Sequence, residues 1–164
     1  MYQVGDVVSY GTAGVCRIAA LAERTVGGQA RQYYQLEPQR GRSSTVLVPV
    51  ENAALLDKMR PVMTADQCRA LLRALPEALL EWCEDEQQRR AHYRQVFGGG
   101  DAFALARLAR SLYRQRQALT ARGRRLRQAD EAAWRDAERL LGDELSFVLG
   151  QEPDEMIRLL RAGA

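Results

Sequence analysis

The sequence predicts an α+β protein, with a small β-barrel over residues 1–56 followed by an all-helical domain over residues 57–164. Short β-branched and aromatic runs punctuated by glycine fill roughly the first fifty residues. After Pro61 the apolar period changes from two to about 3.6 residues, and composition shifts across residues 50–62. At 164 residues and 46% hydrophobic, the chain has room for two small cores.

The strands follow in order. Val4, Val7, Val8 and Tyr10 lie in a short strand pattern ended by Gly11, and Gly14 to Ile18 opens a second run. Gly27-Gly28 reads as a hairpin turn, because two adjacent glycines accept the positive φ angles a tight turn demands. Gln32 to Leu36 alternates and is closed by Pro38 and Gly41. Thr45 to Val48 forms a fourth strand stopped by Pro49. Four or five short strands of this kind suggest an SH3-like or Tudor-like barrel. Tyr2, Tyr10, Tyr33 and Tyr34 could cage a cation there, although strand tyrosines usually pack.

Helical signals begin at Thr64, which with Gln67 resembles a capping box ahead of Cys68, Leu71, Leu72 and Leu75. Pro76 interrupts, and a second helix is expected to carry Trp82 through Phe97 as far as Gly98-Gly99-Gly100. Asp101 is placed to cap a third helix running to about Ala121. Asp130 is placed to cap a fourth through Trp134, Ala137 and Leu141, with shorter helices over Asp143 to Leu149 and from Pro153. On the third helix, Leu105, Leu108, Leu112 and Leu119 fall within about 60° of one another, and Arg107, Arg110 and Arg114 lie opposite, facing water or a ligand. Arg116 falls on the apolar side and must snorkel or pair.

The net charge of +3 conceals blocks: −4 over residues 61–88, +10 over residues 89–127 (eleven Arg against one acid), and −5 over residues 128–164. An electropositive stretch between acidic ones suits a polyanion-binding face, and equally a chain that uses Arg as its surface cation, Lys58 being its one lysine. Three widely spaced cysteines make no disulfide framework, which points to a reduced, cytoplasmic setting. No run is long and apolar enough to span a bilayer, and no secretory signal opens the chain.

Catalytic patterns are missing. A single histidine, His92, leaves no Ser-His-Asp or Cys-His arrangement, and no zinc-type Cys/His spacing or phosphate loop is present. Glu84-Asp85-Glu86 could act as a hydrolytic cluster, but reads better as a solvated first helical turn favoured by the macrodipole. No cofactor, metal or small-molecule substrate is expected, and the pattern points to binding instead of catalysis. Trp134 reads as core, whereas Trp82 is either an exposed wedge or a core residue.

The segments VGDVVSYGTAGVCRI, RQYYQLEP, STVLVPVENA and MRPVMT, followed by LARSLYRQRQ and AERLLGDELSFVLG, resemble the CarD/CdnL family. That family shares its RNA polymerase-interacting domain with the transcription-repair coupling factor. The resemblance implies a non-enzymatic transcription regulator. Its Tudor-like domain would dock on the polymerase β subunit through strand pairing and charged side chains, and its helical domain would meet promoter DNA at the upstream edge of the melted region. It assigns polymerase contact to Arg24 and to the strand Val46, Leu47, Val48 and Pro49, with Leu47 standing where some members carry a second contact arginine. In that family a tryptophan enters the DNA minor groove as a wedge. Anchored on Gly100-Asp101, the resemblance places Glu86 at that position and Trp82, counted among the expected DNA contacts, about one helical turn upstream. Arg89, Arg90 and Arg94 fall in the basic stretch that follows and are expected to hold phosphates, joined by Arg107, Arg110 and Arg114. The alternative reading is a nucleic-acid-binding module acting on RNA or ribosomes without polymerase.

Overall fold

A computed structural model describes residues 1–40 and 44–162; Gly41, expected to close the third strand, lies outside them. The chain forms two units, Met1–Val62 and Met63–Ala164. The first therefore runs past the 1–56 span read from the sequence, because Met59–Pro61 joins its sheet as an edge strand.

The first unit is an antiparallel sheet of β1 (Val7–Tyr10), β2 (Gly14–Val26), β3 (Gln29–Pro38), β4 (Val46–Pro49) and β5 (Met59–Pro61), in the order β4-β3-β2-β1-β5. A one-turn helix, α1 (Ala53–Leu56), is capped by Asn52. Val8, Cys16, Ile18, Leu36 and Val48 are fully buried and form its core with Tyr34 and Met59. Adjacent residues point to opposite faces, so Tyr34 packs inside against the edge of Tyr2 while Tyr33 points outward. The four tyrosines therefore do not converge on one cage.

The second unit contains α2 (Ala65–Ala74), α3 (Glu86–Gly99), α4 (Ala102–Ala121), α5 (Gln128–Leu149) and α6 (Pro153–Arg161). The capping box at Thr64 and Gln67 and the cap at Asp101 form as the sequence predicts. Three helical boundaries differ. Trp82 is not helical: Pro76 sits in a 3-10 turn, the chain runs irregularly to Asp85, and the Asp85 carboxylate caps α3 by accepting from the Gln88 amide. Asp130 is no cap, since α5 starts at Gln128 and Asp130 lies buried in its first turn. Finally α5 does not stop before Asp143. It runs unbroken through Gly142, where α6 crosses so closely that a Cβ would meet Ile157 Cγ1 at 2.9 Å.

Helix α4 is wedged between two clusters. Leu108 and Leu112 face Tyr93, Val96, Ala133 and Trp134, whereas Ala106 and Ala109 face Leu71, Leu141, Leu145 and Leu160. Small residues thus give α4 a second apolar stripe that a leucine count overlooks. Arg116 reconciles charge with burial by lying over the Trp134 ring, 4.8 Å from its centroid. No helix among the described residues is long and apolar enough to cross a membrane.

Candidate functional site

Two surfaces, one on each unit, gather the residues the sequence singles out. On the first, the ladder register sorts side chains by face. Leu36 and Tyr34 are buried opposite Val46 and Val48, so the alternate pairs Gln35–Leu47, Tyr33–Pro49 and Gln35–Ala20 share the outer face. Farther along the same row, Tyr33–Ala22 leads to Arg24–Arg31. The result is a largely apolar strip, interrupted by Gln35, that ends in two exposed arginines. Leu47 is 38% exposed on it, whereas Val48 is fully buried and offers a partner only its backbone. β4 is an edge of the sheet: among the described residues it pairs with β3 alone, so its other side is open for strand addition.

On the second unit the expected arginines separate into buried and exposed sets. Arg89, expected on phosphate, is 6% exposed and makes a bidentate pair with Asp130, Nε to Oδ1 at 3.1 Å and Nη2 to Oδ2 at 2.9 Å. Its Nη1 donates to the carbonyls of Cys83 and Glu84, and its guanidinium lies 4.4 Å from the Trp82 ring centroid. The Tyr93 hydroxyl donates to Asp130 at 2.7 Å. Burial alone would raise the Asp130 carboxyl, but the bonds from Arg89 and Tyr93 outweigh it and hold the group below the usual carboxylate range. The hydrogen bonds it donates to Asp130 hold Arg89 more firmly charged.

Arg110, expected to face a ligand, is 1% exposed and donates to the carbonyls of Leu160 and Ala162, closing the end of α6. Burial lowers its pKa. Arg107 is half-buried, its Nη2 3.5 Å from the Leu79 carbonyl. Neither Arg89 nor Arg110 can reach a phosphate, because the fold uses each as an internal tie.

The exposed set is Arg90, Arg94 and Arg114, joined by Arg127, which the sequence reading passed over. Arg90, Arg94 and Arg127 line one groove with Gln128 and Ala129, at the start of α5. Glu86 organises it, pairing with Arg90 at 2.7 Å and also with Arg127. The exposed Arg122, Arg124 and Arg125 lie in the same α4–α5 connection, which leaves that end of the unit strongly positive. The only signal for Arg127 was the +10 block, since a helical wheel ranks no loop residue.

On the other side of α3 lies a cleft of about 710 Å³, lined by Leu80, Trp82, His92, Leu112, Arg114 and Gln115 among others. Trp82 is half-buried against the Tyr93–Leu112 cluster, so it is a wall of this cleft and not a projecting wedge. Trp82→Ala is expected to cost about 2 kcal/mol of stability, less than a fully buried tryptophan would. A denaturant titration unchanged from wild type would show that the ring packs on nothing. Among the described residues no three His, Cys, Asp or Glu side chains gather as a metal site.

Compared with known protein families, residues 2–63 match the model described as the CarD-like/TRCF RID domain. The match spans the first unit and includes the whole outward row from Leu47 to Arg24.

Proposed function

Since the chain carries, over residues 2–63, a CarD-like/TRCF RID domain, a domain of an RNA polymerase-interacting family, we propose that it is a non-enzymatic transcription regulator that docks on the polymerase β subunit and stabilises the promoter open complex. The family match is the observation that carries this reading. The outer face of β2–β3–β4 supports it physically: an open strand edge for backbone pairing, a largely apolar strip, and exposed cations at one end.

Promoter DNA is the proposed ligand of the helical unit. Arg90, Arg94 and Arg127 line one solvent-open groove beside a helix start whose amides favour anions, and Arg114 adds a cation across α3. A protein tethered to polymerase works at high effective concentration, so a few phosphate contacts suffice. If those contacts form better on melted than on closed DNA, binding shifts the equilibrium toward the open complex. The tryptophan wedge implied by the resemblance has no part in this proposal, because Trp82 is committed to packing and Glu86 bridges two arginines at the wedge position.

Immobilised β subunit should retain the full chain, and loss of that capture would remove the foundation of the proposal. For the DNA surface, replacing Arg90, Arg94 and Arg127 together with alanine should weaken binding to forked promoter DNA regardless of sequence. The slope of log K against log salt should shrink by about 2–3, from some 0.9 per lost phosphate contact. An unchanged slope in a fluorescence-anisotropy titration would place the phosphates elsewhere.

A further inference from the structure

We propose that Arg24 and Arg31 form a two-guanidinium clamp for a carboxylate of the docking partner, making Arg31 a specificity-determining contact beside Arg24. The inference rests on the reading of the first unit as the polymerase-docking domain.

Beyond the end of β4, the β2–β3 ribbon projects with residues 23–31 exposed. Its turn holds Gly27 and Gly28 at φ 61° and 80°, the two-residue type whose twist matches a hairpin. That turn fixes the register Val26–Gln29, Thr25–Ala30, Arg24–Arg31 without slippage. The two arginines therefore stand directly opposite each other on one face, with Cβ atoms about 5 Å apart.

Like charges in that position destabilise a ribbon. No hydrogen bond or ion pair among the described residues includes either side chain, and Glu23, beside Arg24, alternates to the other face. The free protein thus holds a solvent-screened like-charge pair that an incoming anion relieves further. Two planar forks can saturate both oxygens of one carboxylate.

A protein carboxylate is favoured over a phosphate by what lies alongside. The pair continues into Tyr33, Ala22, Gln35, Ala20 and Leu47, a largely apolar strip suited to a peptide segment, and residues 1–60 carry a net charge of only +2. The strongly basic block belongs to the other unit.

The test is Arg31→Glu in the full chain. The introduced carboxylate would pair with Arg24 across the ribbon, so the melting temperature should hold or rise while affinity for isolated β subunit falls about tenfold or more. Arg31→Gln, which removes one charge and adds none, should lose affinity less with its fold intact, and carries the test if Arg31→Glu lowers the melting temperature. Wild-type affinity in a well-folded Arg31 variant, with wild-type protein itself binding β, would overturn the clamp and leave the docking reading intact. Weakened DNA binding with unchanged β binding would overturn it in favour of a phosphate. Failure of wild-type protein to bind β at all would overturn the docking reading, and the clamp with it.

Discussion

Asp130→Ala is expected to destabilise the helical unit by about 3–5 kcal/mol, the usual cost of stripping one partner from a buried ion pair. Arg89 stays charged at any accessible pH, and in the variant it would sit 6% exposed with no anion, left to the Cys83 and Glu84 carbonyls and the Trp82 ring. Tyr93 would lose its acceptor as well. A domain of this size melts lower by on the order of 15 °C for such a loss. Replacing Arg89 and Asp130 together by apolar residues should cost less than Asp130→Ala alone, because no charge is then stranded.

The same carboxylate sets a pH dependence. Its folded pKa lies below the ordinary carboxylate range, so between the two values the unfolded chain binds more protons than the folded one. The contribution is complete above the ordinary carboxylate pKa and is lost as pH falls through the folded value. Asp130→Asn should flatten this acid limb. Denaturation curves that place Asp130→Ala within about 1 kcal/mol of wild type would refute a structural role for the pair.

Arg24→Glu should weaken capture of the polymerase β subunit by roughly ten- to a hundredfold, while the melting temperature stays near wild type. Arg24 is exposed on a ribbon that contributes no side chain to the first unit's core, so charge reversal there acts on association and not on folding. Normal pull-down by a folded Arg24→Glu protein would mean that the ribbon does not touch polymerase.

The sheet was legible because its signals are local: Gly27-Gly28 dictates its own turn, and alternation sorts Val48 from Leu47 without reference to distant residues. The helical half was legible in its caps at Thr64 and Asp101 and in the core position of Trp134. What escaped depends on pairs far apart in sequence. Arg89 and Asp130 are 41 positions apart, and the resemblance groups Arg89 with its basic neighbours Arg90 and Arg94 as phosphate contacts without showing that pairing. Arg110 closes a helix end fifty residues on, behind a stripe of alanines whose apolar role appears only once α6 packs there. The sequence divides Leu141 from Asp143 into two helices because it does not show the close crossing of Ile157 at Gly142, which lets one helix run through. Arg127 was hidden among loop arginines until the fold set it beside Arg90 and Arg94.

Polymerase docking by one unit and DNA holding by the other act together on one observable, the lifetime of heparin-challenged open complexes on a linear promoter. Wild-type protein should lengthen that lifetime, and the gain should vanish in Arg24→Glu and shrink when Arg90, Arg94 and Arg127 are alanine. A lifetime that wild-type protein leaves unchanged, or lengthens equally in both variants, would contradict this joint action.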